Sequence, residues 1–255
     1  MARLPSEMMD LKNKVVIITG SSSGIGKATA LRFVREGAKV VINYSVNKKG
    51  GEETLDEIKK EDGKAILIKA DVSQEKDVKR LFQRTIKEFG TVDILINNGA
   101  AGTDKMPFRE ADHSEWSKIF EVNLVGTMLC SQYAIKIMEK KGYGKILNTS
   151  SIRGAEYGGG RGIAYAVSKA GVINFTKTLA KQVAPKLQVN AVAPGFVKTR
   201  SYDTMNKDMV ANFINQTYLK RWITVEEIAD AFVFLAKNDG ITGQVIYVDG
   251  GFTLK

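Results

Sequence analysis

Residues 13 to 26 read Asn-Lys-Val-Val-Ile-Ile-Thr-Gly-Ser-Ser-Ser-Gly-Ile-Gly, an apolar run that breaks into three glycines, Gly20, Gly24 and Gly26. The helical pattern of Lys27 to Arg35 follows at once. A strand covered on both faces reads as a continuous Val/Ile run, and Val15 to Ile18 has that form. A chain that turns sharply after such a strand and lays its backbone against a pyrophosphate needs glycine for both tasks. The helix that follows then points unpaired N–H groups at the phosphates. The spacing is Gly-x-x-x-Gly-x-Gly, and a plain tight turn is the competing reading.

The rest of the chain sets the context. At 255 residues, 44% hydrophobic and 26% charged, it has the size and balance of one large α/β domain. Nothing approaches the roughly 18 consecutive apolar residues of a membrane helix. Met1 to Asp10 lacks an apolar signal core, so the expected compartment is the cytoplasm. One cysteine, Cys130, and one histidine, His113, rule out an internal disulfide framework and a His/Cys metal cage. Cys130 is read as core and His113 as a surface residue ahead of a helix. The net charge of +10 invites a nucleic-acid reading. Acids are interleaved with the lysines, as in Glu52 to Glu61, which marks a solvated surface instead. Lys136, Lys140, Lys141 and Lys145 form the exception, a basic cluster at a helix end and the turn after it.

Apolar β-branched runs alternate with amphipathic stretches from end to end. The predicted strands are 15–19, 39–43, 65–70, 92–97, 145–149, 188–193 and 244–248, and the predicted helices 25–36, 51–61, 75–89, 115–139, 163–184 and 225–236. That order predicts a single α/β domain, a doubly wound parallel sheet of about seven strands with helices on both faces. Residues 1–10 read as an N-terminal extension. The least patterned stretch, 198–222, follows a strand whose carboxyl end faces the ligand side of such a sheet, and is expected to be a substrate lid, with an ordinary surface excursion as the alternative.

Tyr165 and Lys169 stand four residues apart in a helical pattern and so share a face. A phenol with a pKa near about 10 exchanges protons poorly at neutral pH, and an ammonium beside it favours the phenolate. Tyr165 is the expected acid/base and Lys169 its tuner. Thr149-Ser150-Ser151 closes a strand at the sheet's carboxyl edge, where the Ser151 hydroxyl is placed to hold a substrate oxygen. Asn123, polar within an apolar helical stretch, is equally a structural residue or a catalytic one.

In order along the chain come Thr19-Gly20-x-x-x-Gly24-x-Gly26, Asp71-Val72, Asn97-Asn98-Gly99-Ala100, Asn123, Ser151, Tyr165-x-x-x-Lys169, Pro194-Gly195 with Thr199, and Val248-Asp249-Gly250-Gly251. This series resembles the classical short-chain dehydrogenase/reductase family, and the resemblance runs from about Leu11 to Gly251. It implies a Rossmann fold and a nicotinamide-linked oxidoreductase. By resemblance Tyr165 is the proton donor, Ser151 orients the substrate oxygen, Lys169 grips the nicotinamide ribose and lowers the tyrosine pKa, and Asn123 holds a water in a proton relay. The implied cofactor-binding set is Gly20, Ser22, Ser23, Gly24, Ile25, Gly26, Asn43, Tyr44, Ser45, Asp71, Val72, Asn97, Gly99, Tyr165, Lys169, Pro194, Gly195, Val197 and Thr199. No metal is implied.

Two departures from the family pattern carry expectations. Asn97-Asn98-Gly99-Ala100 replaces Asn-Asn-Ala-Gly and is expected to loosen the turn beside the nicotinamide. Between Ser151 and Tyr165, a glycine-rich loop carries Arg161, read as a solvated loop arginine with a substrate anion as its other use. For the dinucleotide, the second strand ends Asn43-Tyr44-Ser45-Val46-Asn47-Lys48-Lys49, with no carboxylate to bind a ribose 2′-hydroxyl. Ser45 and Asn47 are suited to hydrogen-bond a 2′-phosphate and Lys48 or Lys49 to add charge, so NADP(H) is favoured over NAD(H). Similar sequences include 3-oxoacyl-[acyl-carrier-protein] reductases, which implies a carbonyl substrate carried on an acidic acyl carrier protein. Lys140, Lys141 and Lys186 are then a docking rim beside the active-site mouth, or bland solubilising charge. Sugar, polyol and small-ketone dehydrogenases share the same motifs. A non-catalytic dinucleotide-binding protein is the remote alternative, and enoyl reductases space Tyr and Lys more widely. The family resemblance implies a homotetramer or dimer, built on helices 115–139 and 163–184 with the C-terminal strand and tail at a second interface.

Overall fold

The computed structural model describes residues 9–102, 107–155, 162–199 and 206–254. The apolar runs become β1 (Val15–Ile18), β2 (Lys39–Tyr44), β3 (Ala65–Lys69), β4 (Ile94–Asn97), β5 (Gly144–Thr149), β6 (Leu187–Pro194) and β7 (Val245–Val248). All pair in parallel in the order β3-β2-β1-β4-β5-β6-β7. Ile18 lies in register with Ile42 on one side and Ile96 on the other. The strand order therefore reverses at β1, and a crevice opens past the carboxyl ends of β1 and β4.

The helices are α1 (Gly24–Arg35), α2 (Lys48–Lys60), α3 (Glu75–Phe89), α4 (His113–Phe120), α5 (Gly126–Lys141), α6 (Ile163–Val183), α7 (Lys207–Gln216) and α8 (Val225–Lys237). Successive strand residues face opposite layers. Val16 and Ile18 pack with Phe33 of α1 and Phe232 of α8, while Ile17 packs with Phe82 of α3 and Met138 of α5. Cys130 lies fully buried in that second layer, where burial pushes its thiol up to about 12. No helix of the described residues is long and apolar enough to cross a membrane.

The structure departs from the sequence expectations in several places. Met9 is buried, and its N–H donates to Lys237 O at 2.9 Å, so the domain begins inside the expected extension. The expected helix 115–139 is interrupted by a π-helical turn, Glu121–Val125, that joins α4 to α5. His113 is the exposed first residue of α4. Within the expected lid, α7 is an additional helix that buries none of its residues, and residues 200–205 lie outside the described residues.

The basic cluster also dissolves. Lys145 points inward from β5, has no exposed surface, and donates to Asn238 O at 2.6 Å beyond the end of α8, with Asp239 at 2.8 Å. A cation at a helix C-terminus satisfies the carbonyls left unpaired there. Lys141 pairs with the buried Asp93, whose other oxygen accepts from Val15 N at 2.8 Å.

Candidate active site

Tyr165 opens the first turn of α6, and the phenol and the Ser151 hydroxyl share a hydrogen bond. Ser151 follows β5 and is buried. The turn Ile152–Gly154 presses it against α6, since a Cβ on Gly154 would lie 2.5 Å from the Lys169 carbonyl carbon. Ser150 Oγ donates to Lys169 O at 3.1 Å from the same direction. Lys169 is buried, and its Nζ donates to Thr149 O at 2.8 Å and stands 5.6 Å from the Tyr165 ring centre. Burial alone lowers this ammonium to about 8.

The tyrosine itself is raised above its ordinary value. Burial is the largest influence, and the Ser151 hydrogen bond and then the charge of Arg153 only partly oppose it. Lys169 stands behind the ring with one of its N–H groups turned toward the Thr149 carbonyl. Arg153, which sequence reasoning passed over, places its guanidinium carbon 5.9 Å from the Tyr165 ring centre.

Asn123 sits in the π-helical turn and is buried. Its amide Oδ1 accepts from Ala101 N at 2.8 Å and its Nδ2 donates to Ser168 Oγ at 3.1 Å. The side chain therefore ties the loop after β4 to α6, and the Asn123 backbone carbonyl accepts from Thr127 Oγ1 at 2.9 Å.

The glycine loop lies where the strand order reverses. A Cβ on Gly26 would stand 2.5 Å from Gly20 O and 2.6 Å from Asn98 Nδ2, so only glycine lets the loop close on itself. Ser23 precedes α1 without capping it through its side chain, and the first turn carries no acid. These N–H groups and the helix dipole favour an anion. The turn at Asn97 to Ala100 is pinned instead of loosened, because Thr19 Oγ1 accepts from Asn98 N and Gly99 N, both at 2.9 Å. Asn98 Nδ2 donates back to Thr19 O at 3.1 Å.

Two side chains assigned to the cofactor at the end of β2 point elsewhere. Asn43 is buried, with Oδ1 accepting from Gly20 N at 3.1 Å and Nδ2 donating to Ala70 O at 3.0 Å. Its amide is spent on holding the glycine loop to β3. Tyr44 is buried against Gly51 of α2. A strand alternates its side chains, and these two point into the layers. Ser45 is exposed. The polar groups of the adjoining cleft, about 720 Å³, come instead from Ser22, Ser23, Asn47, Lys49, Lys198 and Thr199, with Glu53, Glu57 and Glu226 along its wall. Lys27 lines it too, paired with Glu57 at 2.7 Å.

The remaining assignments lie along the same edge. Asp71 accepts from Ser73 N at 3.0 Å, and Val72 packs against Gly126. Gly195 N donates to Val248 O at 3.0 Å, Val197 is buried and bridges to Ile223, and Ile25 packs on the α1 layer. Asn97 Oδ1 and Thr149 Oγ1 are buried at the ends of neighbouring strands without a partner. Orphaned polar atoms at one edge, beside a cradle that side chains would fill, fit a bound dinucleotide. Arg161 lies outside the described residues. Lys140, Lys141 and Lys186 lie at the amino ends of β5 and β6, across the sheet from Tyr165. They are not beside the mouth of their own chain.

A family profile described as Enoyl-(Acyl carrier protein) reductase matches residues 20–253. The chain is 38% identical over 251 residues to "Glucose 1-dehydrogenase 2" of Bacillus subtilis, covering 96% of each chain. It is 37% identical to the "3-oxoacyl-[acyl-carrier-protein] reductase" of a Synechocystis strain, covering 97% of this chain and 100% of the relative. The solved structure of a short-chain dehydrogenase/reductase from Serratia marcescens superposes with a TM-score of 0.90 at 29% identity, covering 96% of this chain and all of that one. The matched span runs from the glycine loop past β7. The chain belongs to the short-chain dehydrogenase/reductase family, oxidoreductases that act on carbonyl and CH–OH groups.

Proposed function

We propose that this protein is an NADP(H)-dependent reductase of 3-oxoacyl thioesters, most effectively those on acyl carrier protein. The observation that carries the reading is the hydrogen-bonded Tyr165–Ser151 pair with the Lys169 ammonium behind it, at the edge of a polar cleft. When bound, the dinucleotide supplies a hydride to the carbonyl carbon, or takes one from the alcohol. Ser151 and Tyr165 receive the substrate oxygen, and the Tyr165 hydroxyl gives it a proton as charge develops there. In the oxidative direction the same phenolic oxygen accepts that proton. Lys169, tethered to Thr149 O, keeps a buried proton close to the ring. Asn123 sets the distance between the loop after β4 and α6, and its carbonyl is the proposed seat of the relay water.

The glycine loop and Ser22, Ser23 and Ile25 are proposed to hold the pyrophosphate. Asp71 and Val72 flank the adenine, Asn97, Gly99, Tyr165 and Lys169 the nicotinamide ribose, and Pro194, Gly195, Val197 and Thr199 the carboxamide. Preference for the 2′-phosphate rests on Lys49 and Asn47 lining the cleft beside Ser22 and Ser23, with no carboxylate from 43 to 49. The likeness to a glucose dehydrogenase supports sugars or polyols as the second substrate class. A homotetramer is the proposed assembly, supported by the exposed apolar Val125 and Met128 beside a groove between α5 and α6, and by exposed Tyr247 and Leu254 at the β7 edge.

The test is the initial rate of NADPH oxidation with acetoacetyl-CoA and acetoacetyl carrier protein, with NADH in parallel. Turnover favouring the carrier protein and NADPH is expected. Thioesters left unreduced while glucose or a polyol is oxidised would replace the substrate assignment, and a preference for NADH would overturn the cofactor.

A further inference from the structure

Arg153 lies two residues past Ser151, and its backbone N–H donates to the Ser151 hydroxyl at 3.2 Å. Its guanidinium carbon stands 5.9 Å from the Tyr165 ring centre. Among the described residues no carboxylate pairs with it, and its Nε is buried with no hydrogen-bond partner. Elsewhere Arg32, Arg35, Arg80 and Arg221 each meet an acid. The residue as a whole is half-buried.

The surroundings add to the unbalanced charge. A Cβ on Gly162 would stand 2.9 Å from both terminal nitrogens of Arg153, so glycine there makes room for the guanidinium. Gly162 immediately precedes α6, whose N-terminus has no side-chain cap and no acid in its first turn. The positive end of a helix disfavours a cation. A buried donor without a partner costs free energy as well. One anion placed against the terminal nitrogens of the guanidinium relieves the unbalanced charge at the helix start, and it would sit within a small molecule's length of the Tyr165 ring.

We propose that Arg153 is a substrate-binding residue, and that the pocket takes carbonyl compounds bearing a carboxylate a few bonds from the reacting carbon. Short oxo acids and the matching hydroxy acids are that class. The carboxylate lies in the fork of the guanidinium at the start of α6 while the carbonyl oxygen meets Tyr165 and Ser151. Two parallel N–H to oxygen bonds fix both distance and orientation. The inference rests on Tyr165 being the acid/base, and it extends the substrate range from thioesters to free acids.

The experiment compares acetoacetate with acetoacetamide, which has the same shape without the charge, in the wild type, Arg153→Gln and Arg153→Lys. The ratio of their kcat/KM values is expected to favour acetoacetate, to fall about tenfold or more in Arg153→Gln, and to recover in part in Arg153→Lys. A ratio unchanged by Arg153→Gln would mean that the guanidinium only stacks on the ring, and would overturn the proposal. Calorimetric titration of malonate and malonamide into the wild type with NADP+ needs neither turnover nor a folded variant. Tighter binding of malonate supports the subsite, and equal or no binding of both overturns it. Malonate binding without turnover of any ketone would leave the subsite standing and bring down the catalytic reading instead.

Discussion

The dinucleotide side and the substrate side of this edge are built in opposite ways. Around the glycine loop the buried polar groups largely satisfy one another. Asn43 spans Gly20 and Ala70, Ser21 Oγ accepts from Asn43 N at 2.9 Å and donates to Ile18 O at 2.7 Å, and Thr19 and Asn98 bond reciprocally. Beyond the end of β5 the chain looks different. Arg153 has an unpartnered Nε, and α7 buries none of its residues, resting partly on a stack of Phe213 with Phe196 at 4.3 Å. A cradle closed by its own hydrogen bonds needs no ligand to keep its shape. A region with unpaired groups is completed by whatever binds, which is where family members with one chemistry can differ in substrate.

The sharpest division of the two sides is Tyr165→Phe. Turnover is expected to fall by about three orders of magnitude, while dinucleotide affinity, read from NADPH fluorescence, stays within about threefold, because a hydroxyl contributes little to binding a large ligand. Equal losses of both would erase the distinction. Asn43→Leu attacks the closed cradle from behind. It leaves Gly20 N and Ala70 O buried without partners, so unfolding in urea is expected to show a loss of about 2–3 kcal/mol, with dinucleotide affinity falling and the substrate KM little changed.

Lys49→Glu probes the rim between the two sides. The ratio of kcat/KM for NADPH to that for NADH should drop about tenfold, since an acid repels a 2′-phosphate and accepts from a free ribose hydroxyl. An unchanged ratio would move the phosphate elsewhere.

The smallest effect belongs to Glu227, the capping-box acid of α8. The Arg221 guanidinium and then the Thr224 backbone N–H hold its carboxyl down to about 2. A depressed carboxylate stabilises the fold above its unfolded value, and that contribution is lost as pH falls toward 2. The pair is solvent-screened, so Glu227→Gln is expected to cost only about 0.5–1 kcal/mol at pH 7. The gap between the two urea curves should shrink below about pH 4.5. A gap that widened in acid would contradict the cap.

The sheet was legible because burial on both faces forces a continuous Val/Ile run, and the tyrosine–lysine pair because a helix repeats nearly every four residues. Other readings depended on direction, which a linear pattern does not carry. Asn43 and Tyr44 end an apolar strand as a binding residue would, yet the alternation of β2 turns them into the layers. Lys145 reads as surface charge until α8 lays its carboxyl end across β5. Helix α7 carries a short apolar stripe, Met209, Val210, Phe213 and Ile214, yet buries none of its residues, so its pattern was too brief to stand out in the polar stretch. Arg153 offered only its nearness to Ser151, and that gains meaning when the start of α6 is folded against it.

What the sequence by itself determined is the set of local and periodic features. These are the strand runs, the glycine turn before α1, and the spacing of Tyr165 and Lys169, each set by steric and hydrophobic rules acting over a few residues. Tertiary structure alone decided which polar side chains spend their hydrogen bonds inside the protein and which keep them for a ligand. Every donor and acceptor must find a partner in three dimensions, and that partner, from Gly20 for Asn43 to Asn238 for Lys145, lies about 20 to 90 residues away in the chain.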